Sequence, residues 1–288
     1  MSNWGKGVNN NIGWGQGANN DIGWGSIYDK SNAGETLLSG GGSDYNTNYQ
    51  SVIDYANSES LTLPNSTIQN LQNDFAISIN PFYSKFKELH FWSGEAGLSD
   101  FKSIDWARLN RADYYNSPTF LANGIKGNGT SSYADLNFDA DAETTIDSLT
   151  FGFYAPNDIT SGTNEAIMGG SNASVQGILF IKRDNDRSIF SVNSNLITSG
   201  GEVNQGLISV SSDGSTATLR EGSTTIRTET INTQAKATQS VFLLARNIDG
   251  TSLQFSNDTI SISFIADELT VTELGILETA IETFLSAI

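Results

Sequence analysis

The sequence predicts a mainly β protein: an antiparallel jelly-roll sandwich, preceded by an extended repeat arm and a helix and closed by a C-terminal helix. Three observations carry this. Short runs of alternating apolar residues recur roughly every 8–15 residues through the second half of the chain. Turn dipeptides with glycine in second place, Asp213-Gly214, Glu221-Gly222 and Asp249-Gly250, separate several of them. Two stretches depart from alternation and place apolar residues at helical spacing.

The arm comes first. "WGKGVNNNIG" is followed by "WGQGANNDIG" and a truncated "WGS", so Trp4, Trp14 and Trp24 recur every ten residues, with Ile12 and Ile22 between them. Residues 1–26 hold seven glycines and two opposite charges, Lys6 and Asp21, so the acidic excess lies downstream. A plain linker has no need of Trp and Ile at fixed places. Two units cannot bury their own rings, because repeat architectures need about three or more stacked units. The arm is therefore expected to bury its aromatic residues on copies of itself or on another protein, as an anchoring or oligomerisation element. Residues 27–62 read as polar, irregular linker, with Gly40, Gly41 and Gly42 as a hinge.

The third region spans 63–288. Ile68, Leu71, Phe75, Ile79, Phe82 and Phe86 form one helical stripe, which Asn65 or Ser66 can cap. Pro81 lies inside the stripe, so the helix should stop or kink near Ile79. "ELHFWSG" is strand-like. "LTFGFY" puts Leu149, Phe151 and Phe153 on one face at period two. "GILFIKR", "SIFSVNS", "GLISVSS", "TATLREG", "TIRTETI", "SVFLLAR" and "TISISFI" continue the series, with the jelly roll expected over about residues 130–265. Near the end, Leu274, Leu277, Ile281 and Phe284 share a helix face, and Thr270 with Glu273 forms a capping box.

Composition narrows the function. The chain has 288 residues, enough for one large β domain or two smaller ones. It has no cysteine, hence no disulfide and no thiolate chemistry, and one histidine, His90, too little for a Ser-His-Asp triad. Fifteen basic against 32 acidic residues give a formal charge of -17, which repels nucleic acid and anionic membranes. No apolar run reaches the ~18–20 residues of a membrane span, and "MSNWGKGVNN" has no apolar signal core.

"FKSIDWARLNRADYYNSPTFLANGIKGNGTSSYADLNFD" and "VFLLARNIDGTSLQFSNDTISISFIADELTVTELGILETAIETFL" resemble a module of bacteriophage virion proteins with a concanavalin-A-like (laminin-G-like) jelly roll. The resemblance covers about residues 62–288, and Ala266-Asp267 replaces an expected glycine. It implies a spike, fibre or other appendage on the particle surface, forming a trimer or pentamer and contacting other capsid or tail proteins and host-surface glycans.

The catalytic pattern that glucanases of this fold use, E-x-D-x-x-E, does not occur. Glu143 and Asp147 stand four apart but outside that pattern, and read as surface acids. Asp139, Asp141, Asp184 and Asp186 lie in oxygen-rich loops that lack a calcium-loop signature, so turn chemistry accounts for them. No catalytic residue, metal or cofactor is therefore expected. Tyr114, Tyr115 and Tyr154 are the candidates for stacking on sugars. The reading is a non-enzymatic virion protein with host-attachment potential. The alternatives are a stand-alone carbohydrate-binding module or a glycan-degrading enzyme.

Overall fold

A computed structural model describes residues 45–144, 148–159, 164–172, 176–183, 187–194, 196–199, 203–232 and 236–288. The arm with Trp4, Ile12, Trp14, Ile22 and Trp24 lies outside them, as do Asp147, Asp184 and Asp186.

The chain enters through helix α1 (Thr47–Ser58) and helix α2 (Ser66–Ile79), followed by a 3-10 turn, Asn80–Lys85. Strands β1 (Phe86–Phe91), β2 (Asp113–Tyr115), β3 (Thr119–Leu121), β4 (Gly124–Lys126) and β5 (Tyr133–Asp139) come next, with short helices α3 (Ser99–Lys102) and α4 (Ala140–Glu143). Then come β6 (Leu149–Ala155), β7 (Glu165–Ser171), β8 (Gln176–Arg183), β9 (Arg187–Val192), β10 (Ile197–Thr198), β11 (Gly206–Ser212), β12 (Thr216–Glu221) and β13 (Thr224–Thr230). The last elements are β14 (Ser240–Leu243), β15 (Arg246–Ile248), β16 (Thr251–Leu253), β17 (Thr259–Ile260), β18 (Ile262–Ala266) and helix α5 (Val271–Ser286).

Two sheets face each other, as the alternating runs require. One runs β1-β18-β6-β11-β12-β13, the other β10-β9-β8-β7-β14-β5-β2, and β17-β4-β3 forms a small third sheet. Among the described residues the strand pairings are antiparallel except β15 with β7. This is the predicted jelly-roll-like sandwich. Its core is built from the inward positions of both sheets: Phe138, Phe151, Phe153, Phe180, Phe190, Val210, Leu219 and Ile265 among others. The expected turns form. Asp249 and Gly250 both have positive φ (50° and 82°), the signature of a primed hairpin turn. At the β11–β12 turn the Asp213 carboxylate accepts backbone N–H bonds from Ser215 and Thr216, which hold its pKa far below the ordinary range.

A helical layer covers the six-stranded sheet. α2 begins where Asn65 accepts from the Ile68 N–H and ends at Ile79, with Pro81 starting the 3-10 turn. α5 begins with the Thr270–Glu273 capping box. Phe91 of β1 stacks on Trp106 at 5.1 Å and meets Phe75 of α2 and Phe284 of α5 edge-on at 4.8 and 4.6 Å. At Gly152 a side chain would strike the Phe264 ring within 3 Å, so the strand opposite Phe264 needs glycine.

Two expectations are corrected. Residues 47–58, read as part of an irregular linker, form α1: Tyr49, Val52, Ile53 and Ala56 make a buried stripe against the helical layer, and the Tyr49 hydroxyl donates to Gln72 Oε1. The sandwich also begins before residue 130, because β1 pairs with β18 to form an edge of the six-stranded sheet.

Candidate functional site

The candidate site lies on the outer face of the second sheet, away from the helices. In "DYY" of β2 and "YAD" of β5 the sequence reads Asp-x-Tyr and then Tyr-x-Asp. The two strands pair antiparallel with Asp113 opposite Asp135 and Tyr115 opposite Tyr133. Alternation turns Ala134, Leu136 and Phe138 into the core, and Tyr133 and Asp135 outward. β14 continues the outward row with Ser240 and Phe242, since Phe242 stands opposite Asp135.

The result is a ladder of rings. Tyr115 stacks on Tyr133 with centroids 4.6 Å apart and planes 6° from parallel. Tyr133 stacks on Phe242 at 4.5 Å and lies 6.1 Å from Phe255. The inner rings are covered, Tyr133 to 9% exposure and Phe242 to 5%. Tyr115, on the edge strand, is 42% exposed and ends the ladder in solvent. An offset stack shields one ring face and leaves the other for a ligand.

Carboxylates stand beside the ladder. Like charges directly opposite each other repel. Here Asn137, at positive φ in a bulge of β5, offsets the repulsion: its side-chain amide donates to Asp113 Oδ2 and its backbone N–H to Asp135 Oδ1. Asp135 Oδ1 also accepts from the Ser240 hydroxyl. The Tyr115 phenol is held above its ordinary pKa by partial burial and then by Asp135, Tyr133 and Asp113. Along the same edge strand, Ser99, Tyr114, Asn116, Ser117, Pro118 and Phe120 line a hollow of about 370 Å³.

Of the three tyrosines singled out by sequence, the structure leaves Tyr115 open. Tyr114 points inward: its hydroxyl donates to the Ser99 carbonyl and its ring meets Phe120 edge-on at 4.8 Å, so it packs rather than presents a face. Tyr154 is 9% exposed, on the opposite face of the molecule, where burial and the nearby Glu282 and Glu278 of α5 raise its pKa. Tyr133, Phe242, Asp113 and Asp135 were not singled out, although the mirrored Asp-x-Tyr and Tyr-x-Asp triplets were a signal for them.

The candidate acids among the described residues, Glu143, Asp139 and Asp141, have structural partners. Glu143 Oε1 takes Arg108 Nη1 at 2.9 Å. Asp139 caps α4 through the N–H groups of Asp141 and Ala142, and Asp141 lies 3.6 Å from Lys236. Among the described residues no group of three or more His, Asp or Glu is placed to hold a metal ion.

A second polar cluster is sealed inside the sandwich. Glu88, His90 and Trp92 alternate along the inner face of β1's edge, and His90 stacks on Trp92 at 4.6 Å. His90 Nε2 is 3.3 Å from Glu88 Oε1. Asp105 accepts from the Leu89 N–H and from Arg108 Nε, and Arg108 donates on to the Leu136 and Asn137 carbonyls. Burial lowers the His90 pKa to about 4 and, with the Asp105 charge, raises that of Glu88 well above the carboxylate range. Glu88, His90 and Asp105 are fully closed to solvent, Arg108 is half-buried, and the cluster clamps residues 103–112 to β1.

Against known proteins, the fold carries the likeness. No family model matches the chain, and no curated relative matches it in sequence. Among solved structures it is similar to the sialidase of Trypanosoma rangeli. The complex of that enzyme with 2,3-difluorosialic acid aligns with TM-score 0.53 and 11% identity over 76% of this chain and 39% of the sialidase. A mutant displaying trans-sialidase activity gives TM-score 0.52 and 12% identity over 75% and 39%. A weaker match, TM-score 0.47 and 12% identity over 69% and 53%, is to the botulinum neurotoxin serotype D binding domain. The chain thus spans about two fifths of the sialidases' length. At this identity the likeness to the sialidases establishes a β-sandwich of their kind and leaves function to the site.

Proposed function

We propose that this protein is a non-enzymatic glycan-binding sandwich displayed on the surface of a bacteriophage particle, with the Tyr115 end of the ring ladder as its contact point. The observation that carries the glycan reading is the exposed Tyr115 ring, held rigid by the stack beneath it and flanked by hydrogen-bond acceptors. Sugar-binding sites combine such a flat apolar face with a few placed polar groups. The fold shared with sialidases, proteins that act on a glycan, supports it. The virion reading rests on the motifs quoted above and on the Trp-containing arm, which anchors the protein to the particle or to its own copies.

Two measurements test this. The purified protein applied to a glycan array retains specific oligosaccharides; no retention on any glycan overturns the glycan reading. Particles assembled without the native copy take up full-length protein but not protein lacking residues 1–26; equal uptake overturns the anchoring role. Release of soluble sugar from the retained glycans would favour an enzyme instead.

A further inference from the structure

We infer that the Tyr115 platform selects uncharged sugars and rejects anionic ones such as sialic or uronic acids. This rests on the glycan reading above and names the ligand class of the same site. A pyranose presents a C–H face on one side and hydroxyl donors around its rim. The exposed face of Tyr115 suits the first. Asp113, beside Tyr115 on the edge strand, suits the second, because ionised carboxylates only accept hydrogen bonds, and Asp135 adds its charge from the neighbouring strand.

Each carboxylate keeps capacity for a ligand. The hydrogen bond to Asp113 from Asn137 reaches Oδ2, leaving Oδ1. The bonds to Asp135, from the Asn137 N–H and Ser240 hydroxyl, converge on Oδ1, leaving Oδ2. A ligand carboxylate placed here would meet two fixed negative charges. Apart from burial, the groups that raise the Tyr115 pKa are Asp135, Tyr133 and Asp113, so the local field at that ring is negative. Two arginines of this region are engaged with other groups. Arg246 lies over Gly169 on this face, with its guanidinium on Ser171 and Gln254. Arg111, two residues before Asp113, binds Ser103 and Asp100. The whole-chain charge of -17 acts in the same direction by disfavouring approach of an anionic polymer. The ligand class thus differs from the difluorosialic acid bound by the sialidase of similar fold.

The test is a glycan array carrying neutral, sialylated and uronic-acid oligosaccharides, probed with four forms of the full-length protein. Wild type is expected on neutral glycans, with sialylated versions of the same cores bound at least about tenfold less. Tyr115→Ala should weaken neutral binding about tenfold, and Tyr115→Phe should restore it, since the ring and not the hydroxyl supplies the face. Asp113→Asn combined with Asp135→Asn should lower the neutral signal and narrow the gap to sialylated glycans. Far-ultraviolet circular dichroism establishes that each variant is folded. Equal or stronger binding of the anionic glycans overturns the inference and leaves the glycan reading standing. Neutral binding that is indifferent to Tyr115→Ala overturns the inference and also removes Tyr115 as the contact point, leaving only glycan binding elsewhere on the protein. Absence of binding to every class sinks both.

Discussion

Among the described residues, two aromatic assemblies lie on opposite outer faces of the sandwich, and they differ in how they end. On the six-stranded sheet, Phe91, Trp106, Phe75 and Phe284 pack edge-on and face-on beneath α1, α2 and α5, and each is at most 2% exposed. On the other sheet, Phe242, Tyr133 and Tyr115 stack in a row along one direction and the last ring emerges into solvent. The first arrangement maximises buried area in every direction. The second leaves part of that stabilisation unrealised at Tyr115 and sets two carboxylates opposite each other beside it. Local features that weaken a fold yet occur together are where binding is expected.

The largest effect that would break this contrast is on stability. Phe91→Ala should destabilise by about 3–5 kcal/mol in urea unfolding, because it empties a sealed site. A cost below about 1 kcal/mol would show that the helical layer is no real core.

The next concerns the interior strand face between the assemblies. The folded His90 pKa of about 4 lies below its ordinary 6.5, so the unfolded chain binds the proton first. That contribution is complete above pH 6.5 and is lost as pH falls towards 4. Glu88, with its pKa raised, acts oppositely and loses stability as pH rises above the ordinary carboxylate range. Replacing Glu88 by Gln should therefore expose the full His90 limb, about 3 kcal/mol between pH 6.5 and 4. Unfolding at a series of pH values measures it, and a flat profile in Glu88→Gln contradicts the assignment.

A smaller effect sharpens the helical side. Thr270→Ala removes the cap of α5 and should cost about 1 kcal/mol, read as a lowered urea midpoint. The smallest is on the open side. Tyr115→Ala should change stability by no more than about 0.5 kcal/mol while weakening the proposed glycan binding about tenfold. If Tyr115→Ala instead rivals Phe91→Ala, the open ladder is structural and the contrast fails.

Much of the fold was legible because it rests on local patterns. Asn65, Pro81 and the Thr270–Glu273 box mark helix boundaries within a few residues, and Leu149, Phe151 and Phe153 mark a strand face by period alone. β7 escaped notice because its central residues, Ile167 to Gly170, are buried on both faces and end in two glycines, which removes the alternation. α1 escaped because Tyr49, Val52, Ile53 and Ala56 sit among Thr, Asn, Gln and Ser. The site was half legible. Tyr115 stands out as an aromatic residue near a loop. Its partners depend on a register between β2 and β5, across the intervening β3–β4 hairpin, that no local window contains.

The placement of α1 carries one more consequence. The chain joins the described body through a helix that packs, by way of Tyr49 and Trp106, on the face of the six-stranded sheet. The Tyr115 edge lies two layers away. Tension applied along the segment before α1 therefore loads the helical layer first and reaches the sheet that carries Tyr115 only through the sandwich core. A load applied at Tyr115 and a load applied at α1 therefore enter the protein through different layers.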